Sequence, residues 1–151
     1  MKTRKHESGR SMIEMVGVLA VMGLITAGAF ILISNASASQ RRNRVIDDVM
    51  NIATGVRSLY AEHETFPAAA SMVSATILSA LSISSTSPYN TTYAVTRTGD
   101  TTFSVTVPDM NYNDCSALSI KKWKDAAATP TCTPKSGDAT KGTFVITYNK
   151  L

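Results

Sequence analysis

The sequence predicts an α+β protein in which one long N-terminal helix, apolar and then amphipathic, packs on a small antiparallel β-sheet. Three observations predict it. Met12 to Ile33 is apolar except for Glu14, Thr26 and the glycines Gly17, Gly23 and Gly28. Val45, Val49, Ile52, Val56 and Leu59 then recur at helical spacing, with Ile46, Ala53 and Tyr60 widening the stripe. Further on, short runs alternate apolar and polar residues between turn residues, the pattern of strands with one buried face. A chain of 151 residues allows one modest domain with an appendage and excludes a large multidomain enzyme.

The apolar segment is 22 residues long, and as a helix it spans ~33 Å, enough for the ~30 Å hydrocarbon core of a bilayer. Glycine is tolerated in membrane helices because it lets neighbours approach closely. No breaker follows Ile33, so one helix is expected over residues 10–63, ended by the approach to Pro67. Met72, Ile77, Leu78 and Leu81 indicate a short second helix within Ala68 to Ser82. Tyr93 to Arg97 and Phe103 to Val107 flank Thr98-Gly99-Asp100-Thr101 and read as a hairpin. Asp114 is placed to cap a short helix carrying Leu118 and Trp123. Ala126 to Gly142 reads as turn-rich, and Phe144 to Tyr148 as a last strand.

Three readings of the apolar segment compete. A secretory signal is suggested by the basic start and by Ala36-Ser37-Ala38, which gives a secreted binding protein cleaved after Ala38. The apolar run exceeds a signal core of ~7–15 residues, however, and contains a carboxylate. A plain single-span anchor is poorly oriented: Lys2, Arg4, Lys5 and Arg10 on one side nearly balance Arg41, Arg42 and Arg44 on the other. The third reading rests on the run Gly9-Arg10-Ser11-Met12-Ile13-Glu14. It resembles the processing site of type IV prepilins and type II secretion pseudopilins, in which a basic leader ends in glycine and glutamate is the fifth mature residue. Gly9 matches the residue before the cut and Glu14 the fifth position. Arg10 departs from the usual Phe, Met or Leu, which leaves its N-methylation and packing open.

The resemblance implies the pilin fold, a leader at 1–9, a membrane or filament-core segment at about 12–33 and a head over 64–151. It implies insertion in the bacterial inner membrane, release into an extracellular pilus, and self-polymerisation. Its partners are a prepilin peptidase, an inner-membrane platform protein and an assembly ATPase. An ionised carboxylate in hydrocarbon costs ~2.5–3.5 kcal/mol on insertion scales, so Glu14 demands a partner or a role. The expectation is that it pairs with the new α-amino group at Arg10 of a neighbouring copy and sets the axial register.

Cys115 and Cys132 are the two cysteines, 17 positions apart. A bridge between them closes a loop worth ~3 kcal/mol in the chain-entropy model and belongs to an oxidising compartment; two free thiols are the alternative. In pilins a C-terminal disulfide bounds a variable surface region, and 115–132 resembles it. Val107-Pro108 before the first cysteine, with a strand after the second, resembles the type IVb branch, while the nine-residue leader resembles the other. Pseudopilins often carry calcium-binding acids and lack such cysteines. Here Asp109, Asp114 and Asp125 are scattered, which favours a pilus subunit over a pseudopilin without separating major from minor.

The pattern disfavours an enzyme and calls for no cofactor or metal. His63 stands between Glu62 and Glu64 at the expected helix end, and no HExxH, GxSxG or phosphate-binding glycine loop occurs. Lys121-Lys122-Trp123-Lys124 is a basic cluster with an aromatic, but loss of the leader leaves 12 basic against 10 acidic residues. A balance of +2 argues against dedicated nucleic-acid binding. Arg41, Arg42 and Arg44 with Asp47 and Asp48 suit either a solvated helix face or ion pairs between subunits.

Overall fold

The computed structural model describes residues 10–150. Helix α1 runs Arg10–Leu59 without a break, and the chain divides into two compact units, one ending at Ser39 and the other beginning at Gln40. The second unit takes in the amphipathic part of α1. It continues through a 3-10 turn (Ala69–Ser71), α2 (Ser74–Ala80), β1 (Ala94–Arg97), β2 (Thr102–Asn111), α3 (Tyr112–Ser119), β3 (Thr131–Lys135) and β4 (Asp138–Asn149). The four strands form one antiparallel sheet in the order β1-β2-β4-β3, so the α+β class expected from the sequence is the class observed.

The core of this unit follows from two periods meeting. Val45, Val49, Ile52, Ala53 and Val56 of α1 are buried, as the 3.6-residue spacing requires. Leu59 is the exception at 44% exposure, because α1 ends there, four residues before His63. The chain turns back so that Phe66 can bury, its N–H donating to the Asp100 carbonyl at 2.8 Å and its ring edge-on to Phe103 at 5.3 Å. On the sheet, alternation puts Phe103, Val105 and Val107 of β2 opposite Tyr148, Ile146 and Phe144 of β4, all on one face. Val95 of β1 extends the middle rung through Val105. These side chains and the α1 stripe form one buried cluster.

The expected second helix is shorter than Ala68 to Ser82, beginning only at Ser74 after Val73 adopts an extended backbone. It closes with a Schellman arrangement: Ile83 N–H donates to the Leu78 carbonyl at 3.0 Å and Ser82 N–H to Ser79 at 3.1 Å. That geometry requires positive φ, and Ser82 sits at 54° where glycine is usual. β2 runs beyond Val107 by absorbing Pro108 in a bulge, with Asp109 at φ 53° and Met110 buried past it.

The cap of α3 is Asn111, whose side chain accepts from Asn113 N–H at 3.0 Å, so Asp114 is freed for another task and Trp123 lies beyond the helix. The turn-rich stretch hides a strand. β3 pairs with β4 across Ser136-Gly137, with Gly137 at φ 83°, and as an edge strand it tolerates Pro134. Cys115 of α3 and Cys132 of β3 form a disulfide, their Cα atoms 5.6 Å apart. Gly142 of β4 lies beneath it: an added Cβ meets both sulfurs, at 3.1 and 3.2 Å, and the Tyr112 ring at 3.1 Å.

Two stability measurements follow, each by urea unfolding of the detergent-solubilised chain. Ser82→Gly relieves the left-handed backbone and raises stability by about 1 kcal/mol. Gly142→Ala overpacks the disulfide seat and lowers it by about 1–3 kcal/mol.

Candidate functional site on the apolar helix

The first unit is the opening part of α1. Among the described residues, thirteen large apolar side chains between Met12 and Ile33 are exposed, the least of them, Val18, at 56%. They occupy every side of the helix, unlike the one-sided stripe that follows Gln40. This helix is long and apolar enough to cross a membrane. Its hydroxyl at Thr26 is satisfied internally, donating to the Met22 carbonyl at 2.6 Å.

Glu14 stands exposed in this surface. Shallow apolar grooves flank it, one formed with Met15, Val18 and Leu19, the other with Gly17, Val18, Val21, Met22 and Ile25. Gly17 leaves the second groove open, since a Cβ there would meet nothing within 4 Å. Arg10 heads α1 one turn before Glu14, and Gly9 lies outside the described residues. Carboxylates near a helix N-terminus are favoured by the helix dipole.

In the second unit, charged residues of α1 turn inward. Arg42 Nε lies 3.5 Å from Asp114 Oδ1, and Asp114 Oδ2 accepts from the Tyr89 hydroxyl at 2.8 Å. Asp48 Oδ2 accepts from the Tyr93 hydroxyl at 2.7 Å. Burial, reinforced by the facing carboxylate, pushes both tyrosine hydroxyls well above the usual phenol range. Arg42 and Asp48 are therefore intramolecular anchors rather than a solvated face, whereas Arg41, Arg44 and Asp47 remain exposed.

Arg57, which the sequence did not single out, is a third anchor. Its Nε donates to the Asn149 carbonyl at 2.8 Å and Nη2 to the Asp125 carbonyl at 3.0 Å. Nη1 pairs with the Asp125 carboxylate at 3.7 Å, and the guanidinium lies 5.5 Å from the centre of the Tyr148 ring. Burial pushes the Tyr148 hydroxyl up to about 12, against the pull of Arg57. One signal existed for Arg57: a lone cation beside the buried stripe in the last turn of α1.

The remaining candidates do not converge. Trp123 packs against Phe144, ring centres 5.5 Å apart, and donates to the Leu118 carbonyl at 2.9 Å, while Lys121, Lys122 and Lys124 face solvent. His63 is exposed beside Tyr60. Asp109, Asp114 and Asp125 each meet a different cation, respectively Lys135, Arg42 and Arg57. Among the described residues no group of three or more His, Cys, Asp or Glu side chains is placed to hold a metal ion.

No family model matches the chain. Over 57 residues it is 35% identical to the major structural subunit of bundle-forming pilus from Escherichia coli O127:H6 (strain E2348/69 / EPEC). The same identity and length relate it to the subunit of that name from Escherichia coli O111:H-. Combined with a long N-terminal helix and an antiparallel sheet, this similarity decides the relationship. The chain is related to the type IV pilins. The match covers 38% of this chain and 30% of each of those relatives, so it spans less than a third of their length. For a pilin relative, the exposed apolar helix is the surface that needs covering, and the inward-facing charges fix the sheet and its loops to the amphipathic part of α1.

The buried Tyr93 and Tyr148, with the half-buried Tyr89, set an alkaline limit on that second unit. Each holds its proton above the ordinary value of 10.0, so the unfolded chain releases protons first as pH rises. Their stabilising contribution is complete below pH 10 and is lost progressively above it. Melting temperatures measured from pH 8 to 12 should stay level and then fall, and Tyr93→Phe should make the fall shallower.

Proposed function

We propose that this chain is the structural subunit of a type IV pilus. It is inserted in the bacterial inner membrane, cut after Gly9 by a prepilin peptidase, and polymerised through its N-terminal helix into an extracellular filament. A platform protein and an assembly ATPase serve this export, and the disulfide-stapled head coats the fibre.

One observation carries the reading: a helix with thirteen exposed large apolar side chains, interrupted by a single carboxylate at Glu14. Leaving the bilayer is tolerable only if other helices replace the lipid, because apolar surface in water costs roughly 25 cal/mol per Å². Cleavage after Gly9 creates an α-amino group at Arg10. Pairing of that group with Glu14 of the adjacent copy neutralises both charges in an apolar bundle and selects one axial stagger among many that apolar packing alone permits. Truncating one partner of such a buried pair costs about 3–5 kcal/mol. The helix supplies cohesion and the carboxylate supplies register.

Two measurements test this. Intact-mass analysis of sheared surface filaments should return a chain lacking residues 1–9; a soluble chain lacking residues 1–38 overturns the reading. Glu14→Ala and Glu14→Gln should each lower filament yield by at least about tenfold while processed subunit accumulates in the membrane. Normal assembly of both variants removes the pairing role.

A further inference from the structure

Beyond the helix, the second unit carries an uncovered surface of mixed character. An open cleft of about 600 Å³ lies between the end of α3 and the loop that leads to β3, lined by Ile120, Lys121, Lys122, Trp123 and Pro130 among others. Ile120 is 83% exposed, the most exposed large apolar residue described in this unit. Lys121, Lys122 and Lys124 are exposed around it, and among the described residues none forms an ion pair. A second patch of the same unit has the opposite charge. Leu59 is 44% exposed at the end of α1, and Glu62 and Glu64 follow it, both exposed and likewise without an ion pair among the described residues.

We infer that the lysine-rimmed cleft at Ile120 receives the Leu59–Glu64 turn of a second copy of this chain. The two patches are complementary in both respects that matter: one apolar side chain flanked by cations meets one apolar side chain flanked by carboxylates. Burial of Ile120 against Leu59 supplies cohesion, and the charges supply orientation and exclude like-with-like docking. Because the patches are different surfaces, the contact is heterologous. Each copy offers both halves, so docking repeats from copy to copy and generates a ring or an open helical array rather than a closed dimer. The inference rests on the pilus-subunit reading and adds a head-to-head contact to it.

The test uses filaments assembled from an equal mixture of isotopically light and heavy full-length chains. Zero-length carbodiimide coupling, which joins only amines and carboxylates in direct contact, should give mixed-isotope peptides linking Lys121, Lys122 or Lys124 to Glu62 or Glu64. The double variant Lys121→Glu/Lys122→Glu should lower filament yield by about threefold or more, and so should Glu62→Lys/Glu64→Lys. Combining all four changes should restore it, which a misfolded head could not do. Intact filaments without those cross-links, or a fourfold variant no better than its parents, overturn the contact while leaving the helix-driven fibre in place. Failure of the unaltered chain to form filaments overturns the pilus-subunit reading and this contact with it.

Discussion

A helix that is apolar on all sides cannot remain in water, and that constraint governs everything else in this chain. At roughly 2 kcal/mol for each large side chain, the thirteen exposed between Met12 and Ile33 represent about 25 kcal/mol. That exceeds the about 5–15 kcal/mol that holds a typical domain folded. Covering this helix therefore outweighs the stability of the head itself. On the proposed reading, the segment acts as a strong adhesive that is covered by lipid before assembly and by copies of the same helix afterwards. Adhesion of that kind is non-directional, because a smooth apolar cylinder packs at many staggers. In the proposed filament, a carboxylate near its start would convert cohesion into register, because only arrangements that give Glu14 a cation escape the desolvation penalty.

The amphipathic part of α1 faces the opposite problem, since it must hold a small sheet firmly with few apolar residues. Its stripe from Val45 to Val56 does so by burial, and three polar residues fix the orientation. Arg42 reaches Asp114 at the start of α3, Asp48 reaches Tyr93 just before β1, and Arg57 grips the end of β4 and the loop at Asp125. These contacts touch four separate stretches of chain, so rotation of α1 about its own axis breaks all of them together. Apolar burial sets how tightly the sheet sits, and the polar contacts set which way it faces.

Which features were legible in the sequence follows from the range of the forces involved. The α1 stripe and the β1–β2 hairpin were legible because period and turn residues are local. Glu14 was legible because a carboxylate amid apolar residues contradicts its surroundings. Edge strand β3 was not, since Thr131 to Lys135 is polar, contains Pro134 and is exposed along most of its length; only Ser136-Gly137 hinted at its turn. The capping of α3 was misplaced because Asn111 and Asp114 are both good capping residues three positions apart, and the choice depends on Asp114 meeting Arg42, 72 residues earlier in the chain. Arg57 and Phe66 owe their roles to partners far away in sequence, and the one local signal, a lone cation in the last turn of α1, does not reveal which partners Arg57 meets.

The weakness of β3 explains where the disulfide is. A strand with no fully buried side chain of its own gains little from the hydrophobic effect, and its ladder with β4 competes with water on the exposed edge. Tying Cys132 to Cys115 anchors that strand to α3, whose Cys115 and Leu118 belong to the core. Closing a loop of this size removes unfolded-state entropy worth ~3 kcal/mol, comparable to what a buried aliphatic pair would add. The covalent link thus replaces a core that the segment lacks. Between Ser116 and Thr131 the interior holds Leu118, Trp123 and the Asp125 carbonyl, whereas Ile120, Lys121, Lys122 and Lys124 stay exposed. Ile120 and the lysines beside it are free to be chosen for what they meet outside the molecule. Stability and surface chemistry are separated by a single sulfur–sulfur bond, and Gly142 provides the space in which that bond fits.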